Sequence, residues 1–92
     1  MDAARAHLFI KGRVQGVFYR AFTRNVAMGF GLSGWVKNLY DDSVEAVFEG
    51  DRTLIEQAIQ QCKTGPPGSH VSEIDLKWEE YSGNEKGFEI IY

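Results

Sequence analysis

His7-Leu8-Phe9-Ile10-Lys11-Gly12-Arg13-Val14-Gln15-Gly16-Val17-Phe18-Tyr19-Arg20-Ala21-Phe22-Thr23-Arg24 (HLFIKGRVQGVFYRAFTR, residues 7–24) passes from one periodicity to another within a single short stretch. Its first part alternates, and the alternation extends over residues 6–12. Ala6, Leu8 and Ile10 fall on one face and His7, Phe9 and Lys11 on the other, which predicts a half-buried β-strand. Its last part begins a helix over residues 20–30, in which Phe22, Val26 and Phe30 recur on one stripe and Gly29 and Gly31 suit the C-terminal end. A helix start favours Ser, Asp or Glu, because its free N–H groups and dipole attract negative charge. Here two arginines stand in place of an acid, so the turn is short of a negative group.

Outward from this stretch the remaining elements are regular. Gly34-Trp35-Val36-Lys37-Asn38-Leu39 reads as a second strand and Tyr40-Asp41-Asp42 as a turn. Residues 43–49 read as a third strand, with Val44, Ala46 and Phe48 on one face and Glu45, Val47 and Glu49 on the other. Asp51 is placed to cap a second helix whose apolar stripe is Leu54, Ile55, Ala58, Ile59 and Cys62, and Gly65-Pro66-Pro67-Gly68 ends it. A fourth strand is expected over 71–80, then a loop at 82–87 and a short terminal strand at 88–92. The order β-α-β-β-α-β predicts an α+β fold, the ferredoxin-like sandwich. Two helices cover one face of an antiparallel sheet, with a short C-terminal strand added. In that topology the first two strands run in the same direction with the third between them. The 13–20 loop and Asn38 therefore share one edge of the sheet, about 10 Å apart.

Ninety-two residues suit one domain spanning 1–92. No apolar run reaches the length of a membrane span, the opening residues lack a signal-peptide pattern, and the single Cys62 has no partner for an internal disulfide. A cytoplasmic monomer is the expectation, with no membrane association. Residues 1–37 carry six Lys and Arg against one acid, whereas residues 38–92 carry four against twelve. Such a split marks a basic half suited to an anion, although short chains also fluctuate in charge.

The turn between strand and helix offers glycines at 12 and 16, unpaired N–H groups at the helix start, and the planar guanidinium of Arg20. Together they form a cradle suited to phosphate. Glycine-containing turns before helices are also common, so the stretch alone leaves both readings open. The same holds for Asn38, since asparagine at a strand end is often simply turn chemistry. His7 lies toward the far end of its strand and His70 on no motif. Glu45, Glu49, Glu79 and Glu80 read as solvated strand faces or ends. Cys62 reads as a buried structural thiol, and no Cys/His cluster suggests a metal. The acids expected on the open sheet face argue against a nucleic-acid partner.

Gly12-Arg13-Val14-Gln15-Gly16-Val17-Phe18-Tyr19-Arg20 closely resembles the first signature of the acylphosphatase family. Gly34-Trp35-Val36-Lys37-Asn38 with Ser43-Val44-Glu45 and Gly50 resembles the second. Ala27-Met28-Gly29-Phe30-Gly31-Leu32 and Phe88-Glu89-Ile90 are similar to the family too, so the resemblance covers essentially the whole chain. It implies hydrolysis of acyl phosphates to a carboxylate and inorganic phosphate without a metal or other cofactor. It implies a phosphate loop made by the backbone N–H groups of Gln15, Gly16, Val17, Phe18, Tyr19 and Arg20. Arg20 matches the phosphate-binding arginine and Asn38 the asparagine that orients the attacking water. Phosphate would then be both product and competitive inhibitor. That chemistry is self-consistent: a carboxylate leaves without being protonated, so the task is to position a water and neutralise phosphoryl charge. A non-catalytic anion-sensing or regulatory domain is the alternative. The chain departs from the family at Asp41-Asp42, where Asp-Gly is usual. Aspartate in a left-handed turn position costs roughly 1 kcal/mol, which predicts lower stability or an altered turn with the chemistry kept.

Overall fold

A computed structural model describes residues 2–92. Its elements are β1 (Ala3–Arg13), α1 (Tyr19–Gly29), β2 (Ser33–Asn38), β3 (Val44–Asp51), α2 (Arg52–Thr64), β4 (His70–Glu79) and β5 (Phe88–Ile91). The strands form one sheet in the order β4-β1-β3-β2-β5. This is the ferredoxin-like sandwich read from the sequence. Strands β4, β1, β3 and β2 pair antiparallel as expected, and the added C-terminal strand β5 pairs parallel to β2 on its outer side, which makes the five-stranded sheet mixed. The connection through residues 80–87 brings the chain back beside β2, where Gly34 N–H donates to Gly87 O at 2.9 Å.

Alternation decides which face is buried. Ala6, Leu8 and Ile10 are fully buried together with Val36, Val44, Ala46 and Phe48. Side chains of Leu or Ile size contribute about 1.5–3 kcal/mol each when removed from water, so a one-residue slip of β1 would be costly. The helices complete the core through Val26 and Ala27 of α1 and Ile55, Ala58, Ile59 and Cys62 of α2. The inner stripe of α1 is Tyr19, Thr23, Val26 and Ala27. Phe22 and Phe30, read as stripe members from their spacing, pack only partly buried at its flanks. Tyr19 and Thr23 can go inside because each has a partner for its hydroxyl. Tyr19 donates to Cys62 O at 2.7 Å and Thr23 to Tyr19 O at 2.9 Å. Burial pushes the Cys62 thiol up to about 12, consistent with a structural role. Asp51 stands at the N-cap of α2, but its side chain makes no capping hydrogen bond.

The open face differs from the expected row of solvated acids. Glu49 is buried and accepts from Arg5 Nη1 at 2.9 Å and from Ser82 N–H at 2.9 Å, with Ser82 Oγ and Gly83 N–H also donating. Burial alone would raise its pKa, but these donors outweigh that and hold it low. Glu79 bridges Arg5 and His7, and Glu45 reaches His7 Nε2 at 2.6 Å. Glu45, Glu49 and Glu79 are thus matched by Arg5 and His7 of β1, a pairing that strand register creates and local sequence does not reveal.

Near the site end of the sheet, Ile10 of β1 and Asn38 of β2 both lie level with Val44 of β3. Two strand spacings separate them, about 10 Å. Beyond Ile10, the register between β1 and β4 shifts at Lys11/Gly12. Gly12 has φ +129, and a Cβ there would meet His70 O at 2.1 Å, so only glycine lets the backbones approach this closely.

Candidate functional site

The turn leaving β1 reaches α1 with the dihedral values that an anion cradle requires. Gly16 has φ +73 and Phe18, at the N-cap of α1, has φ 61 and ψ 26. Backbone that steps in and out of the left-handed region gathers successive N–H groups into a concave nest. Nothing lies within 4 Å of the position a Cβ would take on Gly16, so conformation rather than crowding calls for glycine there. Phe18 holds the same conformation without that freedom, a strain of about 1–2 kcal/mol. The helix start has no side-chain cap and no acid in its first turn. Among the described residues, the N–H groups of Gln15, Gly16, Val17 and Phe18 donate to no protein acceptor.

Gly16 and Phe18 of this turn border a cleft of about 280 Å³, lined also by Val14, Tyr19, Arg20, Ala21, Asn38, Ile90 and Tyr92. Arg20, in the first turn of α1, lies with its guanidinium carbon 4.8 Å from the centroid of the Tyr92 ring. Among the described residues no carboxylate lies within 4 Å of that guanidinium, so its charge is not consumed by an ion pair. Asn38 ends β2 and lines the same cleft. Its carboxamide oxygen is buried and accepts no hydrogen bond from the protein among the described residues. An unpartnered buried acceptor costs about 1–3 kcal/mol, which a fold retains where the atom has another use.

The residues named from the sequence are brought together unevenly. Gly16, Phe18, Tyr19, Arg20 and Asn38 line one cleft. Tyr19 contributes only backbone, since its ring is in the core. Val17 turns its side chain toward the core, and Gln15 turns its carboxamide toward the β2–β3 hairpin. Sequence reasoning missed Tyr92, whose position follows from the pairing of Ile91 with Lys37. It also missed the Gln15 side-chain contacts, which join residues 24 and 28 positions apart.

The Asp41-Asp42 departure is accommodated. Leu39 N–H donates to Ser43 O at 2.8 Å, which leaves a three-residue hairpin loop with Asp42 at φ 71. A left-handed residue ends such loops, which is why glycine suits the position. Asp41 Oδ1 accepts from both the N–H and the hydroxyl of Ser43, lowering the Asp41 pKa and closing the turn.

Fold and cleft together define a small ferredoxin-like α+β domain in which an acid-free helix start, an arginine and a buried carboxamide oxygen line one cleft at the sheet edge. The acylphosphatase family profile matches residues 6–90. An acylphosphatase of Roseiflexus sp. (strain RS-1) is 52% identical over 92 residues, covering 100% of this chain and 99% of that protein. One from Pelotomaculum thermopropionicum is 44% identical over the full length of both chains. The crystal structure of acylphosphatase from Bacillus subtilis superposes with a TM-score of 0.94 at 32% identity, covering 97% of this chain and 99% of that one. The chain belongs to the acylphosphatase family.

Proposed function

We propose that the chain hydrolyses acyl phosphates to a carboxylate and inorganic phosphate, with Arg20 and the 15–20 backbone holding the phosphoryl group and Asn38 holding the water. Family membership supports the activity. The observation that carries the assignment of roles is the unpartnered Asn38 oxygen at the wall of the cleft that Arg20 also lines.

The phosphoryl oxygens seat in the nest at Gly16–Phe18 and on the first N–H groups of α1, where the dipole favours negative charge. Arg20 grips two of them, and its planar fork suits that bidentate contact. Asn38 Oδ1 accepts one O–H of a water and leaves a lone pair of that water aimed at phosphorus. The water oxygen–phosphorus bond forms as the bond from phosphorus to the acyl oxygen breaks. The carboxylate leaves with the bonding pair, and both protons of the water stay with the product phosphate, which departs as dihydrogen phosphate. The leaving group is a weak base, so the site supplies charge neutralisation and alignment and requires neither a general acid nor a metal. Small acyl phosphates are the substrates, product phosphate is a competitive inhibitor, and the protein acts as a cytoplasmic monomer.

The test is hydrolysis of benzoyl phosphate, followed by ultraviolet absorbance with a chelator present. Turnover, competitive inhibition by phosphate and loss of both in Arg20→Ala are expected. A folded protein that binds phosphate without turnover is instead an anion sensor.

A further inference from the structure

Gln15 has a side chain that the chemistry above does not use. Its Nε2 donates to Leu39 O at 2.9 Å and to Ser43 O at 2.9 Å, so both amide protons are committed. The two acceptors bracket the water-holding residue. Leu39 follows Asn38 directly, and Ser43 directly precedes Val44, the register partner of Asn38. One carboxamide from the phosphate loop therefore clasps both strands of the hairpin one residue beyond Asn38.

Neither carbonyl depends on Gln15 for a partner. Ser43 O already accepts Leu39 N–H at 2.8 Å, and Leu39 O already accepts Asp42 N–H at 3.3 Å. Asp41 closes the turn from within. The hairpin is thus complete by itself, and what Gln15 adds is a fixed relation between hairpin and loop. That relation is not otherwise guaranteed: β1 and β2 are separated by β3, and the loop leaves β1 beyond Ile10, the last residue of β1 paired to β3. A water on Asn38 reaches phosphorus in line only if the hairpin stands at one distance from the cradle.

We infer that the Gln15 side chain is a positioning residue for the reaction: it sets Asn38, and the water Asn38 holds, against a phosphoryl group bound in the 15–20 loop. This rests on the roles proposed for Arg20 and Asn38. Gln15→Met keeps the length and the backbone N–H but removes both donors. A misplacement of the order of 1 Å lowers turnover about 100-fold, so kcat for benzoyl phosphate should fall by about 10–100-fold. The inhibition constant of inorganic phosphate, which reports the cradle, should stay near the wild-type value. In an Asn38→Ala background the same substitution should lower kcat no further, because residues acting through one another are not additive.

The inference is overturned if phosphate affinity falls in step with kcat, which would make Gln15 a support for the loop. It is equally overturned if the two kcat effects multiply in the double variant. Failure of the roles themselves reads differently: Asn38→Ala alone would then keep its turnover. Should Gln15→Met not fold, Gln15→Asn keeps the amide but withdraws it by one methylene. The same split between kcat and phosphate inhibition is expected, and its absence counts against the inference.

Discussion

Asp42 occupies a backbone conformation that favours glycine, with φ 71 at the end of the three-residue β2–β3 loop. An L-residue in the left-handed region costs about 1–2 kcal/mol, and aspartate lies near the lower end. Asp42→Gly removes about 1 kcal/mol of that strain but returns roughly 0.5 kcal/mol through the larger freedom of glycine in the unfolded chain. The net gain is about 0.5 kcal/mol. For a chain of 92 residues an unfolding entropy of about 0.2 kcal/mol/K converts this to a rise in Tm of about 2–3 °C. Asp42→Val, whose β-branch is poorly tolerated at positive φ, should lower Tm by about 5 °C or more. Thermal unfolding followed by circular dichroism reads both. Turnover should be unchanged in Asp42→Gly, because Asn38 is held by its pairing with Val44 and not by the loop tip. A Tm that falls in the glycine variant, or a valine variant as stable as wild type, would refute the strain argument.

Two further predictions concern the open face and the cleft. His7 sits between Glu45 and Glu79; burial opposes its charge, but the two carboxylates outweigh that and raise its pKa above 6.5. Its contribution to stability is therefore full just below pH 6.5 and is lost as pH rises through the raised folded value. Urea midpoints of wild type and His7→Gln should differ most near pH 6 and converge in alkali, and a gap that widens with pH would contradict this. Tyr92→Ala removes the ring stacked on Arg20. An exposed cation–π contact is worth about 0.5–1 kcal/mol, so the inhibition constant of phosphate should rise about 2–5-fold, measured by competition against benzoyl phosphate, while no change would show that the ring does not hold the guanidinium.

Much of this arrangement was legible in the sequence because it depends on short-range pattern. The alternation at Ala6, Leu8 and Ile10 fixes which face of β1 is buried, and Gly16 followed by an acid-free helix start marks the turn that borders the cleft. Asn38 could be placed beside that turn because the topology puts the ends of β1 and β2 on one edge. What could not be read depends on register between distant segments. Glu49 looked solvated because Ser82 and Gly83, which cover it, are 33 and 34 residues away. Tyr19 was not counted with the core because its burial requires the Cys62 carbonyl at the end of another helix. Tyr92 enters the cleft only through the parallel pairing of β5 with β2, and period-two alternation carries no information about which neighbour a strand chooses. Gln15 belongs to the same group: its spacing identifies a loop residue, and only the folded hairpin supplies the carbonyls it clasps.

The central claim is that Asn38 holds the attacking water over a phosphoryl group bound independently by Arg20 and the loop. Its most direct test is the kinetics of Asn38→Ala on benzoyl phosphate, with phosphate inhibition measured on the same sample. A fall in kcat of about 100-fold or more with an unchanged phosphate inhibition constant is the predicted result. Turnover retained at the wild-type rate would contradict it.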